Sequence, residues 1–411
     1  MKITDLQFHV YAPIPALPWS FVEVHTDEGV VGLGECTDYR GTPLLADGIE
    51  AIKPIVVGAD PANIEEIWQR IFRHYTTFSG RGYISHLISG IDVALWDLRG
   101  KVLGQPIYRL IGGPVRETVP LYTHIQDQWY EGVTIADAVR WAKETKADGY
   151  EAFKTDPFKW QGQRLGGGHW GANRVEYLNP KSIAEAVDWI AAVREAVGDD
   201  YELMVDAHGR FDVASAIKGA RALEPFNLIW YEEPVPPESF AALREVREAT
   251  SIPICVGERL FTRYDFVPVF EQRLADFIMP DILWTGGISE IKKIAAMAEA
   301  YYVRISPHDA LGPVSIMAGA HVSITTPNFY RLECLHRWFP DFAKIITPMF
   351  TVRSGAIVLS DRPGLGFELD HEAAARYRVD PHSPAATPGS SESPTSRRRA
   401  GAAVSRGRAR R

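Results

Sequence analysis

The sequence has few cysteines, no long apolar run and no net positive charge outside its C-terminal end. Its three cysteines, Cys36, Cys255 and Cys334, show neither metal-binding nor disulfide spacing. No apolar run approaches the length of a membrane span, and the N-terminus lacks the basic-then-apolar pattern of a signal peptide. We therefore expect a cytoplasmic protein in a reducing compartment, without a membrane partner.

The charge is divided unevenly along the chain. The formal net charge of the chain is −8. Residues 381–411 hold seven Arg and one Glu, a net charge of +6, so the rest of the chain has a net charge of −8 − 6 = −14. Such an acidic body argues against nucleic acid as a specific partner. The Arg-, Pro- and Ser-rich segment has almost no large apolar residues, and we expect residues 381–411 to form a disordered tail.

Two patterns divide the rest of the chain. Residues 1–118 combine alternating strands with a strongly apolar helix over 84–103, which predicts an α+β capping domain. From Val119 strands and helices alternate, so residues 119–349 are predicted to form a (β/α)-barrel of the TIM type, in the α/β class. Residues 350–378 return to a hairpin pattern, and we expect them to complete the capping domain.

Three carboxylates, Asp206, Glu232 and Glu258, each follow an apolar strand-like run, and successive members are 26 residues apart. This interval fits one strand, one helix and two loops, so a barrel would bring the three residues together at one rim. Carboxylate oxygens are the ligands of hard cations, and the cluster predicts a Mg²⁺ site. The alternative is three unrelated helix-capping acids in βα loops.

The same register continues through Asp281, His308 and Glu333. Asp281 precedes His308 by one strand and is placed to fix its tautomer, which makes His308 a candidate base; a purely structural histidine is the alternative. Glu333 would hydrogen-bond a substrate carboxylate if it were protonated.

Three further residues carry candidate roles at the same rim. His208 shares a strand face with Asp206, so it is a second candidate base or a fourth metal ligand. Lys154 is placed either to neutralise a substrate carboxylate or to pair with Asp156. Arg259 is placed to clamp the substrate or Glu232.

Specificity is harder to assign from sequence. Tyr39, Arg40 and His124 are candidates for substrate binding, and the Gly166–Gly168 stretch fits a flap better than a phosphate-binding loop. Four other histidines are treated as incidental: His9, His25, His336 and His371.

Taken together, the motifs resemble the enolase superfamily, in its mandelate racemase subgroup, and most closely acid-sugar dehydratases of the D-galactonate dehydratase type. The resemblance covers roughly residues 1–378 and rests on five motifs: Asp206-Ala207-His208-Gly209-Arg210, Tyr231-Glu232-Glu233-Pro234, Gly257-Glu258-Arg259, Met279-Pro280-Asp281 and Ser306-Pro307-His308. It implies a modified TIM barrel with a capping domain, Mg²⁺ as cofactor, a sugar-acid substrate and a homo-oligomer.

The resemblance also implies a reaction. His308 would remove the α-proton to give an enediolate, and His208 would assist loss of the β-hydroxyl, giving a 2-keto-3-deoxy sugar acid. Racemases of the subgroup have a second lysine at the position of Asp156, and mannonate dehydratases lack the counterpart of Asp281. Both differences favour the galactonate-dehydratase type. The rivals are a racemase, epimerase or cycloisomerase on the same scaffold, and a non-catalytic binding protein that works through the Arg-rich tail.

Overall fold

The N-terminal part of this computed structural model is a three-stranded antiparallel sheet covered by helices. The structure describes residues 1–15, 17–38, 41–79, 81–125, 133–158 and 177–386. The strands, in the order β1-β2-β3, are β1 (Ile3–Ile14), β2 (Leu17–Thr26) and β3 (Val31–Glu35). The helices are α1 (Thr42–Val56), α2 (Ile64–Ser79), α3 (Tyr83–Leu103) and α4 (Ile107–Leu110).

Local sequence explains where these elements end. Helix α3 confirms the predicted helix over 84–103, and it stops at Gly104, whose φ of 62° is a left-handed conformation that glycine adopts without strain. Most residues of α3 are buried, because the helix packs on β2 and β3 among apolar side chains.

Eight parallel strands form the barrel. They are β4 (Val119–His124), β5 (Ala152–Thr155), β6 (Glu202–Asp206), β7 (Tyr231–Glu232), β8 (Ile254–Val256), β9 (Phe277–Ile278), β10 (Arg304–Ile305) and β11 (Leu332–Cys334). Strands β4 to β10 pair in chain order, and β11 pairs with β4. A bridge joins Ile305 of β10 to Phe329, three residues before β11. The predicted TIM-type barrel with an N-terminal α+β part is confirmed.

Helices alternate with these strands on the outside of the barrel. They are α5 (Ile135–Ala147), α6 (Pro180–Val197), α7 (Val213–Leu223), α8 (Phe240–Ala249), α9 (Thr262–Glu271), α10 (Gly287–Ala300) and α11 (Pro313–Ile324). None of the helices in the described ranges is both long enough and apolar enough to cross a membrane.

The C-terminal elements contact both parts of the molecule. They are α12 (Phe339–Phe342), β12 (Ile346–Thr347), β13 (Thr351–Arg353), β14 (Ala356–Val358), β15 (Glu368–Leu369) and α13 (His371–Ala374). Strand β14 pairs with β4 of the barrel, so the predicted hairpin extends the barrel sheet and not the N-terminal sheet. The later part of the segment does contact the N-terminal part. Leu365 N–H donates to Asp97 Oδ1 of α3 at 2.8 Å, and just beyond the segment Val379 N–H donates to Val10 C=O of β1 at 2.9 Å.

The first residues of the predicted disordered tail belong to the described structure. Residues Pro384–Ala386 form a short 3-10 turn, and Ala386 is fully buried. The composition of the segment, which has almost no large apolar residues, did not predict this buried contact. The remainder of the predicted tail, 387–411, lies outside the described residues.

A layer of buried side chains inside the barrel supports the functional rim. This layer contains Tyr122, Ala152, Met204 and Trp230. Each of the four precedes, by two positions, a polar residue of the rim: His124, Lys154, Asp206 and Glu232. Because strand side chains alternate with period two, the polar group of each pair lies directly above its apolar neighbour, and the buried apolar layer closes the barrel interior beneath the rim.

Candidate active site

The three predicted metal ligands meet at the carboxyl ends of the barrel strands. Asp206 and Glu232 are the last residues of β6 and β7 and are paired in register. Glu258 follows β8 by two residues. One carboxylate oxygen from each residue lies within 4.8 Å of the others, so the equal spacing in the sequence does bring the three groups together.

Glycines shape the backbone around this cluster. Gly257 has a φ of 139°, and a Cβ there would lie 3.0 Å from the backbone nitrogen of Met279 on the next strand. His208 has a φ of 50°, a conformation that is strained for a residue with a side chain. Its N–H donates to Asp206 Oδ1 at 2.7 Å, which holds the turn.

Lys154 lies at the centre of the acidic rim. Its Nζ is 2.6 Å from Glu232 Oε1, 2.8 Å from Glu333 Oε1 and 3.1 Å from Asp206 Oδ2. Burial lowers the pKa of Lys154, but the carboxylates, led by Asp206 and Glu232, raise it well above its usual value, so the side chain is cationic. The alternative partner considered from sequence, Asp156, is not among these contacts.

The carboxylates carry more negative charge than one lysine can balance. Burial, with Asp206 beside it, raises the pKa of Glu232 well above its usual value. Burial has the same tendency at Asp206, but His208 and Lys154 hold its pKa well below its usual range. Adjacent carboxylates that resist common ionisation fit a site for a hard divalent cation.

His308 and Asp281 form the predicted pair. Nδ1 of His308 lies 2.6 Å from Asp281 Oδ2, while Nε2 faces Glu258 Oε2 at 3.4 Å. Burial lowers the pKa of His308, but Glu333, Glu258 and Asp281 together raise it to about 10. With Nδ1 held by Asp281, Nε2 is the ring nitrogen that faces the carboxylate cluster.

His208 also binds an aspartate, which the sequence did not predict. Its Nδ1 is 3.1 Å from Asp156 Oδ2, and its Nε2 is 3.3 Å from Asp206 Oδ2. Asp156 in turn accepts two hydrogen bonds of 2.7 Å from the buried Arg210. Burial lowers the pKa of His208, but Asp206 and Asp156 raise it, as neighbouring carboxylates also do for His308.

Glu333 differs from the expectation. It accepts a short hydrogen bond from His124 Nε2, lies 2.8 Å from Lys154 Nζ and receives the Asp309 N–H at 3.2 Å. Burial raises the pKa of Glu333, but Lys154 and His308 hold it well below its usual value. In this arrangement Glu333 is ionised, so it is an acceptor and not the donor that the sequence suggested.

Arg259 also has a different partner from the one expected. Its guanidinium pairs with Glu233, with Nε 2.7 Å from Oε2, and not with Glu232. A Cβ at Gly209 would collide with this guanidinium, so the glycine leaves room for the pair. Arg259 is about one-third exposed, which leaves part of its guanidinium accessible beside the site.

Trp284 is a site residue that the sequence analysis missed. Its ring lies 5.4 Å from that of His308, and its Nε1 donates to Thr37 C=O at 2.9 Å, which joins the barrel rim to the N-terminal part. Its position three residues after Asp281 was the available signal. The predicted residues Tyr39, Arg40 and Gly166–Gly168 lie outside the described residues.

The barrel, its N-terminal part and the carboxylate rim together define an enolase-type enzyme. Residues 137–374 match the family described as Enolase C-terminal domain-like. Residues 15–112 match the family described as Mandelate racemase / muconate lactonizing enzyme, N-terminal domain. The chain belongs to the enolase superfamily, in its mandelate racemase subgroup.

Similar proteins include both curated enzymes and solved structures. The D-galactonate dehydratase of Xanthomonas euvesicatoria pv. vesicatoria is 33% identical over 388 residues, which cover 93% of this chain and 95% of that protein. The D-xylonate dehydratase of Haloferax volcanii is 32% identical, covering 88% and 86% respectively. A mandelate racemase/muconate lactonizing enzyme-like protein from Rubrobacter xylanophilus superimposes with a TM-score of 0.84 at 35% identity, covering 92% and 98%. The curated relatives named here are dehydratases, that is, hydro-lyases.

Proposed function

We propose that this chain is a Mg²⁺-dependent dehydratase that converts a sugar acid of the aldonate type, such as a galactonate-like acid, into a 2-keto-3-deoxy sugar acid. One observation carries the proposal: two imidazoles present Nε2 to the same carboxylate cluster, and each is held through Nδ1 by an aspartate. The names of the D-galactonate and D-xylonate dehydratases support the substrate class.

The cation would be held by Asp206, Glu232 and Glu258. When bound, it supplies positive charge beside the substrate carboxylate, where negative charge develops as the α-proton leaves. Three carboxylates favour Mg²⁺ over softer metals. Lys154 adds a second fixed positive charge at the same place, 2.6 Å from Glu232 Oε1.

The proton transfers are assigned to the two histidines. Nε2 of His308 takes the α-proton, and Asp281 stabilises the imidazolium that results. Nε2 of His208 gives a proton to the departing β-hydroxyl, which leaves as water. Asp156 occupies the position where a racemase would need its second base. Its carboxylate is engaged by Arg210, so Asp156 is not placed to remove a proton from the opposite face of the substrate.

Division into a capping domain (residues 1–118) and a barrel domain (residues 119–349) remains part of the proposal, as does a cytoplasmic homo-oligomer. Residues of the N-terminal part near Thr37 would then contribute to substrate choice, because Trp284 joins that part to the rim.

A library of acid sugars, assayed for keto-acid formation, tests the reaction. His208→Asn should lower keto-acid release by about 10²–10⁴, while His308 should still exchange the α-proton with solvent deuterium. The exposed His382→Asn serves as the control and should behave like the unmodified enzyme. If the enzyme interconverts two epimers and releases no keto acid from any substrate, the epimerase alternative replaces the dehydratase.

A further inference from the structure

A second cluster of metal-ligating side chains lies where the C-terminal segment meets the N-terminal sheet. His9 of β1, Glu23 of β2 and His371 at the start of α13 converge there. Nε2 of His9 is 3.1 Å from Glu23 Oε2, and Nε2 of His371 is 2.8 Å from Glu23 Oε1. None of these residues belongs to the candidate active site.

The strand register explains the convergence. Glu23 is opposite Gln7 in the antiparallel β1–β2 pair, so His9 is its diagonal neighbour on the same face of the sheet. His25 is two residues after Glu23 and shares that face. His371 approaches this face from the C-terminal segment, 348 residues away in sequence from Glu23.

The spacing fits a tetrahedral site. One ligand atom each from His9, Glu23 and His371 lies within 4.8 Å of the others. Ligand atoms around a zinc ion with bonds of about 2.0–2.1 Å are roughly 3.3 Å apart. The contacts of Glu23 with His9 and His371, at 3.1 Å and 2.8 Å, are close to that value. The His9 and His371 rings have centroids 5.1 Å apart and are inclined by 72°, so they do not stack face to face.

Three imidazoles, from His9, His25 and His371, surround the single carboxylate of Glu23, which is more than an ion pair requires. Nε2 of His25 is 3.4 Å from Glu23 Oε2, is buried, and has no hydrogen-bond partner within the described parts of the chain. Tyr11 Oη lies 3.2 Å from Nδ1 of His371. If Nε2 of His371 binds a metal, its Nδ1–H can donate to Tyr11, the outer contact that commonly orients a metal-bound histidine.

We propose that His9, Glu23 and His371 form a Zn²⁺ site that fixes α13 to the N-terminal sheet, and that His25, whose ring lies outside the group of atoms within 4.8 Å, turns toward the ion as the fourth ligand. Two or three imidazoles and one carboxylate suit Zn²⁺, whereas the all-carboxylate rim of the barrel suits Mg²⁺. The two sites are therefore distinguished by the metal each prefers. Zn²⁺ bound only to the folded chain would stabilise it by an amount that grows with the logarithm of its concentration relative to the dissociation constant.

The test uses the full chain, stripped of metal and then saturated with Mg²⁺. Zn²⁺ binding is followed by competition with a chromophoric chelator, and Co²⁺ is substituted to record the visible absorption of a tetrahedral site. We expect one Zn²⁺ per chain in addition to Mg²⁺, and a Zn²⁺-dependent rise in the unfolding temperature.

Variants separate this site from the barrel rim. His371→Gln should weaken Zn²⁺ binding by more than the roughly tenfold loss expected for Tyr11→Phe, which removes only the outer contact. His382→Gln, an exposed histidine of the same segment, is the matched control and should bind Zn²⁺ normally. Mg²⁺-dependent turnover should be unchanged in all three variants.

Two results would overturn the proposal. If no Zn²⁺ binds beyond the Mg²⁺-saturated rim, or if His371→Gln binds it as well as the unmodified chain, the cluster is an ion-pair network only. If Zn²⁺ binding is lost in Glu232→Gln but kept in His371→Gln, the ion occupies the barrel rim and not this cluster.

Discussion

Asp156 Oδ2 lies 3.1 Å from Nδ1 of His208, and the same carboxylate accepts two hydrogen bonds from the buried Arg210. Asp156 thus relates to His208 as Asp281 relates to His308. In both pairs the aspartate holds Nδ1 and leaves Nε2 directed at the carboxylate cluster. The position at which a racemase would have a lysine is used here to orient and charge an acid.

Asp156→Asn should therefore slow dehydration without stopping proton abstraction. The amide can still accept a hydrogen bond from His208, but the lost charge lowers the pKa of the imidazole, so a smaller fraction of His208 carries the proton that it must donate. We expect keto-acid release to fall by roughly tenfold to a hundredfold, as for other orienting partners, while α-proton exchange continues. The pH profile of release should shift to lower pH.

A matched control removes another aspartate beside a histidine. Asp148 lies 3.7 Å from His336 Nε2 and is largely exposed, so Asp148→Asn should leave both measurements unchanged. Equal losses of exchange and release in Asp156→Asn would show that the variant disturbs the whole site, and the positioning role would have to be withdrawn.

The sequence predicted the parts of the site that follow from strand spacing. Asp206, Glu232 and Glu258 recur at the period of a βα unit, so their convergence followed from the barrel alone. The pairing of Arg259 with Glu233, and of Asp156 with His208, depends on loop backbone such as the positive φ of His208. Such conformations leave no periodic signal.

Contacts between distant segments were the other unpredicted part. His371 was treated as incidental because nothing local marks it, yet it contacts Glu23. The hairpin of residues 351–358 was assigned to the N-terminal part because its alternation shows only that it is a hairpin, not which sheet it joins. Partner choice is set by packing of the whole chain.

The second prediction concerns the cation. Glu232→Gln should abolish turnover, because it removes one of three carboxylates and places an amide beside Lys154 Nζ, which is 2.6 Å from Glu232 Oε1. Metal analysis should show loss of bound Mg²⁺, and excess chelator should inactivate the unmodified enzyme in the same way. Glu290→Gln is the control, because Glu290 is equally buried but pairs with Arg263. Full activity in Glu232→Gln would exclude this metal site.

The third prediction concerns stability and pH. Burial lowers the pKa of His321 from 6.5 to about 4. The ring is neutral, with Nδ1 accepting the Tyr108 N–H and Nε2 bonded to Leu365 C=O, both at 3.3 Å. Between about pH 4 and pH 6.5, His321 is protonated in more of the unfolded chains than of the folded chains. The contribution of His321 to stability is therefore complete above pH 6.5 and is lost as the pH falls toward 4.

Urea unfolding at several pH values can isolate this contribution. His321→Gln keeps a donor and an acceptor but does not titrate, so its free energy of unfolding should fall less steeply below pH 6.5. The difference in slope should approach about 1.4 kcal/mol per pH unit for one proton. Parallel pH curves for the two proteins would mean that His321 is not neutral in the folded state.

The last prediction assigns the base. His308 Nε2 faces Glu258 at 3.4 Å, and its Nδ1 lies 2.6 Å from Asp281 Oδ2, so His308 is placed to remove the α-proton and Asp281 to stabilise the resulting charge. His308→Asn should abolish α-proton exchange with deuterium, because the amide cannot accept the proton. Asp281→Asn should retain some exchange, because it removes only the partner that orients His308 and raises its pKa. Exchange and keto-acid release are measured on the same substrate, with Mg²⁺ content confirmed for each variant. Exchange at the normal rate in His308→Asn would place the base elsewhere, and equal loss in both variants would mean that Asp281 is as necessary to the proton transfer as the histidine itself.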